Sequence, residues 1–259
     1  MHTSHPRDWL YQDETFFHLV ANLEVRIGST NPNIHFQQNI VTTHNLLESL
    51  RKTGNSSTLI FTSTVYGEPA KIPTPEDYAP LKPISTYGAS KLACEALISA
   101  YAYTYDFKAI IIRLANIVGP RSQHGVIHDF IQKLNKNPTQ LEILGDGTQN
   151  KSYLYISDCI EAMLLGLEKT TEQVEIYNVG SEDQINVKTI AEIVAEEMGL
   201  QNVEFKFTGG VDGRRGWKGD VKNMLLDIGK IKTLGWKPKH NTRQAIRKAT
   251  KHLVTELLP

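Results

Sequence analysis

Charge excess of either sign is missing from this chain: 28 Lys and Arg offset 28 Asp and Glu across 259 residues. With no net field, recruitment of nucleic acid or an anionic membrane surface by charge alone is not expected. Long apolar runs are missing too, and no stretch approaches the length of a membrane span. The N-terminal run Met1-His-Thr-Ser-His-Pro-Arg7 lacks the apolar core of a signal peptide. Cysteine is scarce. Cys94 and Cys159 stand alone in apolar, helical surroundings, so they read as packing thiols of a reducing compartment, with cytoplasm as the expected location. Early glycine is the most telling absence. The first is Gly28, and it follows no strand that opens into a glycine-rich turn.

What is present is a regular alternation of strand and helix patterns. Thr15–Ala21 is short, apolar and aromatic-rich, as a buried strand should be. A helix is expected from about Pro32 through Asn39 to Leu50, ending at Gly54. Thr58–Phe61 reads as the next strand, followed by a proline-rich loop from Gly67 to Pro83. A helix from Tyr87 to about Tyr105 and a strand at Ala109–Leu114 complete the series. This order implies parallel strands with helices on both faces, the doubly wound α/β arrangement. Three apolar stripes predict further helices: Ile160, Met163, Leu164 and Leu167; Ile190, Ile193, Val194 and Met198; Ile246, Ala249 and Leu253.

Chemistry concentrates at Ser85-Thr-Tyr87-Gly-Ala-Ser-Lys91. A Tyr and a Lys four apart on a helix share a face and reach a common ligand. An ammonium beside a phenol favours the phenolate, so the Tyr87 pKa is expected to fall from about 10 towards neutrality. Such a pair suits proton exchange with a sugar or alcohol hydroxyl. By itself the spacing is weak, since Tyr and Lys are common on helix surfaces.

Further motifs follow in order: Phe61-Thr-Ser-Thr-Val-Tyr-Gly67, Arg113-Leu-Ala-Asn-Ile-Val-Gly-Pro-Arg121, Gly145-Asp-Gly-Thr-Gln149, Tyr153-Leu-Tyr-Ile-Ser-Asp158, Tyr177-Asn-Val-Gly180 and Arg215-Gly-Trp-Lys-Gly-Asp220. With Phe17-His-Leu-Val-Ala21 ahead of Asn39, they make the chain resemble the extended short-chain dehydrogenase/reductase family over essentially its whole length. The likeness is greatest to NAD-dependent nucleotide-sugar epimerases of the UDP-glucose 4-epimerase type. The resemblance implies a Rossmann-type sheet, with a truncated NAD-binding domain over 1–180 and a C-terminal substrate-binding lobe over 181–259. A substrate-lobe insertion is expected at about 120–150. Tyr87 is then the catalytic base at the sugar 4-hydroxyl, and Lys91 lowers its pKa and holds the nicotinamide ribose. Leu19, Val20 and Ala21 pass under the cofactor, Asn39 supports its binding loop, and Ala115 lines the nicotinamide. Asn116 contacts the diphosphate or sugar, Lys151 and Arg215 the phosphates, and Asp220 the ribose.

The sequence departs from that pattern in three ways. The family opens with a strand, a G-x-x-G-x-x-G turn, a helix and a second strand, and none of these precedes Thr15. On this ground the sheet is expected to be truncated at its N-terminal side and NAD binding to be poor. The loop between Phe61 and Tyr66 is also short, so the catalytic hydroxyl is Thr64 counted from the strand but Thr62 counted back from Val65-Tyr-Gly67. Ser63 lies between them. Lys151 stands where the family usually has Arg, keeping charge but losing the bidentate fork.

Gly210-Val-Asp-Gly213-Arg-Arg-Gly216 fits a G-x-x-G-x-x-G spacing, but no amphipathic helix starts after it, so it reads as a substrate-phosphate loop. His124 and His128 have metal-ligand spacing without an evident third ligand, and no metal is expected. Thr62-Ser63-Thr64 carry no carboxylate, which argues against the Asp-Glu chemistry of the related dehydratases and decarboxylases. The resemblance further implies a homodimer through the Asn39–Leu50 and Leu92–Tyr103 helices, where Ala93, Ala96, Ala100 and Ala102 permit close approach. A non-catalytic remnant that only holds a nucleotide sugar or a partner is the competing expectation.

Overall fold

The structure is a computed structural model and describes residues 14–54 and 57–258. The Met1–Arg7 segment lies outside the described residues. In chain order the strands are β1 (Thr15–His18), β2 (Thr58–Ser63), β3 (Lys108–Leu114), β4 (Asn116–Val118), β5 (Gln140–Ile143) and β6 (Asn150–Lys151). They continue with β7 (Tyr153–Tyr155), β8 (Val174–Val179), β9 (Ile185–Asn186), β10 (Glu204–Phe207) and β11 (Asn223–Met224). The helices are α1 (Asn33–His35), α2 (Thr42–Thr53), α3 (Thr86–Tyr105), α4 (Val126–Lys136) and α5 (Ile156–Lys169), then α6 (Val187–Glu197), α7 (Gly229–Thr233) and α8 (Thr242–Leu257). A π-helical segment, Phe36–Val41, joins α1 to α2. No described helix is long and apolar enough to cross a membrane. The chain divides into two units: residues 1–67, 79–114 and 163–177 form one, and 68–78, 115–162 and 178–259 the other.

The first unit is built on a parallel sheet in the order β1-β2-β3-β8. Registers run from Thr15↔Thr58 to His18↔Phe61 and from Thr58↔Lys108 to Ser63↔Arg113. The central strands are apolar on both faces because both are covered. Leu59, Phe61, Ala109 and Ile111 pack with Leu47 and Leu50 of α2 and Cys94, Ile98 and Ala102 of α3. On the opposite face, a Cβ at Gly166 of α5 would touch Ile110, Ile112 and Tyr177 at 3.9 Å each. Helices on both faces make this a doubly wound, Rossmann-like α/β fold. β1 is shorter than its apolar run, which continues as an irregular segment after His18, where Leu19 N–H turns back to the Phe17 carbonyl. Gly54 ends α2 in the left-handed conformation (φ 67°), as its place after the last apolar turn requires.

α5 corrects the stripe expected along it. Ile160 and Leu164 are 48% and 51% exposed, whereas Cys159, Ala162 and Met163 are buried. The inward face runs through Cys159, Ala162, Met163 and Gly166, rotated by about one residue from the expected stripe. Both thiols are buried and free, and burial pushes Cys159 up to about 12.

In the second unit α4, α6 and α8 enclose a core of Phe130, Ile131, Leu134, Ile190, Ile193, Val194, Ile246, Ala249 and Leu253. The α6 and α8 stripes thus lie where their periodicity puts them. Three small pairings complete the unit: β5 with β10 and β4 with β7, both parallel, and β11-β6-β9. α8 begins with a reciprocal cap, in which Asn241 accepts from Gln244 N–H and the Gln244 side chain accepts from Asn241 N–H.

Candidate functional site

In the first unit α3 starts at a serine cap: Ser85 Oγ accepts from Gly88 N–H at 3.1 Å. This sets Tyr87 in the first turn and Lys91 one turn on. Lys91 is 2% exposed, and its ammonium stands 4.0 Å above the centre of the Phe61 ring at the end of β2. His18, the last residue of β1, stacks on the same ring at 5.5 Å and shares a 2.8 Å hydrogen bond between its Nε2 and Thr43 Oγ1. Burial, followed by the charge of Lys91, pushes His18 down to about 4, so the ring is neutral near pH 7.

The expected direction for Tyr87 is overturned. Burial pushes the Tyr87 phenol up to about 12 and the Lys91 ammonium down to about 8. Desolvation disfavours the charged form of each side chain, and it outweighs any mutual stabilisation in the protein itself. Near neutral pH the pair is therefore a phenol beside an ammonium.

A chain of hydrogen bonds ties the segment after β1 to Tyr87. Asn22 N–H donates to Asn39 Oδ1 at 2.8 Å, Asn39 Nδ2 donates to Ser90 Oγ at 2.8 Å, and Ser90 Oγ donates to the Tyr87 carbonyl at 2.7 Å. Asn39 is buried on the π-helical segment. It braces the irregular run Leu19-Val20-Ala21, in which Leu19 and Val20 are 51% and 62% exposed. A second clamp comes from His35. The Glu24 carbonyl can only accept, so His35 Nε2 carries the proton to it (3.2 Å) and Nδ1 accepts from Thr86 Oγ1 (2.9 Å). The His35 ring meets Tyr87 edge-on at 5.7 Å.

The three hydroxyl residues after Phe61 occupy different environments. Thr62 is half-buried in β2, Ser63 is the last, buried residue of that strand, and Thr64 is exposed beyond it. Ser63 Oγ is buried with no hydrogen-bond partner. Buried hydroxyls are seldom left so. The Thr64 carbonyl lies 3.8 Å from where a Cβ on Gly88 would stand, so the loop lies against the start of α3.

In the second unit Lys151, Arg215 and Asp220 come together. Lys151 Nζ is 2.6 Å from Asp220 Oδ1, and Asp220 Oδ2 accepts from Gly216 N–H at 3.1 Å. Arg215 Nε donates to the Asp220 carbonyl at 3.0 Å, while its two terminal nitrogens reach the Asp212 carbonyl and the Glu68 carboxylate. Lys151 also lies 5.6 Å from the centre of the Trp217 ring. Residues 210–216 form a tight hairpin in which Val211 and Arg215 exchange both backbone hydrogen bonds. Gly210 (φ 77°) is required there, since a Cβ would sit 2.4 Å from the Arg215 carbonyl oxygen. Ala115 is buried, with its N–H on the Val179 carbonyl at 2.9 Å, and Asn116 Nδ2 donates to the Ser152 carbonyl at 3.1 Å. His124 is exposed and His128 half-buried on α4, and the described residues hold no cluster of three metal-ligand side chains.

Sequence reasoning missed His18, His35, Ser90 and Glu68. Ser90 sits inside the Tyr87–Lys91 segment and was visible there. The others are recognised only through partners 25 to 147 residues away.

Comparison with known proteins gives the family. The family model described as GDP-mannose 4,6 dehydratase matches residues 10–249. A UDP-glucose 4-epimerase of Corynebacterium glutamicum is 30% identical over 251 residues, covering 90% of this chain and 74% of that one. A crystal structure of a UDP-galactose 4-epimerase superposes with a TM-score of 0.84 at 42% identity, over 95% of this chain and 79% of the other. The Thermus thermophilus UDP-glucose 4-epimerase in complex with NAD gives 0.79 at 31% identity, over 93% and 77%. The chain belongs to the extended short-chain dehydrogenase/reductase family, within its nucleotide-sugar epimerase and dehydratase branch.

Proposed function

We propose that the chain carries out NAD-dependent epimerisation at C4 of a UDP-hexose of the glucose/galactose type. The observation that supports it most is the Tyr87–Lys91 pair, a half-buried phenol and a buried ammonium on one side of α3, braced by Asn39 and Ser90. The residues present suit the nicotinamide end of the cofactor. Lys91 makes no ion pair among the described residues, which leaves its donors for ribose hydroxyls. The run Leu19-Val20-Ala21, exposed at its first two residues, offers an apolar surface, and Ala115 belongs to the same reading. NAD, when bound, supplies the acceptor and donor of hydride at C4.

The chain's own part is proton transfer and orientation. Tyr87 exchanges a proton between its phenolic oxygen and the sugar 4-hydroxyl. Lys91, protonated below about 8, stabilises the phenolate as the proton arrives and leaves. Among Thr62, Ser63 and Thr64, Ser63 is the favoured donor to the C4 oxygen, because its hydroxyl is already desolvated and uncommitted. Asn116, Lys151, Arg215 and Asp220 hold the nucleotide end. The absence of a carboxylate at 62–64 speaks against elimination or decarboxylation. A homodimer through α2 and α3 belongs to the same reading: of the four alanines expected there, Ala96 and Ala100 are exposed and Ala93 half-buried, whereas Ala102 packs into the core and is not free for that contact.

The test is twofold. NAD released on denaturing the purified chain is measured by absorbance and mass, and UDP-galactose turnover is followed by chromatography with NAD added. Tyr87→Phe should lower kcat by about 10²- to 10⁴-fold and leave UDP binding intact. A chain that neither binds NAD nor turns over UDP-hexoses with NAD supplied would overturn the proposal and leave a nucleotide-sugar binder.

A further inference from the structure

The cations assigned to the diphosphate are both held by carboxylates, but in unequal ways. Asp220, on Lys151, is 3% exposed and fixed by Gly216 N–H. Glu68, on Arg215, lies on a segment remote in sequence, and the two side chains are 31% and 21% exposed. Of the three partners of the Arg215 guanidinium, two are backbone carbonyls, of Asp212 and Asp220, which fix its plane. Glu68 is its charged partner and the one on an exchangeable side chain.

Glu68 is placed to move. Its segment is anchored at Thr74, which is 1% exposed and pairs through its backbone with Leu225 and Asp227 at 2.9 Å each. The Glu68 end lines a cleft of about 490 Å³ with Pro69, Thr148 and Lys222. Its other carboxylate oxygen accepts from Lys222 N–H at 2.9 Å, so Glu68 can release Arg215 while keeping one anchor. A partly solvated ion pair is exchanged at low cost, unlike one fully desolvated. A phosphate oxygen offers the guanidinium the same kind of anionic acceptor at higher charge.

We propose that Glu68 is a latch on Arg215, a positioning residue that holds the guanidinium until the diphosphate of a nucleoside diphosphate sugar displaces it. This rests on the assignment of Lys151, Arg215 and Asp220 to the nucleotide end. Glu68 thereby weakens diphosphate binding, and it does so only through Arg215.

UDP is the probe, titrated calorimetrically into the full chain. Glu68→Gln retains the acceptor for Lys222 N–H and removes the charge, so UDP should bind about two- to five-fold more tightly. Arg215→Ala should weaken UDP about tenfold or more, and Glu68→Gln added to Arg215→Ala should bring no gain. Unchanged or weaker binding by Glu68→Gln, or a gain that persists without Arg215, overturns the latch while leaving the nucleotide site in place. If neither the wild-type chain nor Glu68→Gln binds UDP, the assignment of the nucleotide end fails and the latch fails with it.

Discussion

Glu95→Ala strikes the buried ion pair that joins α3 to β3 in the first unit. The Glu95 and Arg113 side chains are each 5% exposed. Arg113 Nε and Nη2 donate to the two carboxylate oxygens at 3.1 and 2.8 Å, and Nη1 donates to the Tyr66 hydroxyl at 2.9 Å. Alanine removes the counter-charge and leaves a guanidinium in the interior, with the Tyr66 hydroxyl among its remaining partners. Breaking one side of such a pair costs about 3–5 kcal/mol, because the surviving charge keeps its desolvation penalty. At roughly 2–4 °C per kcal/mol for a protein of this size, the midpoint should fall by about 6–20 °C. Far-ultraviolet circular dichroism measures both, the free-energy loss by urea denaturation and the midpoint by heating. The control is Glu95→Leu with Arg113→Met, which removes both charges at similar volume and should recover most of the loss. Glu95 lies one turn beyond Lys91, so Glu95→Ala should also weaken whatever Lys91 holds. A loss under about 1 kcal/mol, or a double variant no better than the single one, would refute this account of the pair.

Two further expectations concern the Tyr87 neighbourhood. His18 is held near 4 in the folded chain against 6.5 in the unfolded one, by burial first and Lys91 second. Between those values the unfolded chain binds more protons, so stability falls as pH falls from about 6.5 and levels off below about 4. His18→Gln should flatten that part of the urea-stability profile, and an unchanged slope would exclude His18 as its source. Gly28→Ala would place a Cβ 2.1 Å from Thr86 Oγ1 and 2.9 Å from His35 Cε1. It should cost about 1–3 kcal/mol by displacing that clamp, with part of the loss recovered on adding Thr86→Ala. A fully stable Gly28→Ala would show that the clamp yields freely.

Apolar runs at Thr58–Phe61 and Ala109–Leu114 identify β2 and β3, since strands buried on both faces admit little else. The periods of α6 and α8 select their inward faces, and the Ser85 cap with the four-residue Tyr87–Lys91 spacing places both side chains on one side of α3. The motif order was also sufficient to indicate the family. These features are local, governed by residue type and spacing over a few turns. Tertiary structure decided the rest. Along α5 the buried positions are Cys159, Ala162, Met163 and Gly166 while Ile160 and Leu164 turn outward, a choice of face that the apolar period alone does not make. The direction of the Tyr87 and Lys91 shifts depends on how much water the fold removes, a quantity that spacing does not contain. Ser63 is set apart from Thr62 and Thr64 by its burial and its orphaned hydroxyl. The partnership of Glu68 with Arg215 spans 147 residues and exists only because separate segments of the chain fold into one unit. Spacing fixes which side chains share a face, whereas burial and long-range pairing fix their charge, and those arise only when distant segments meet.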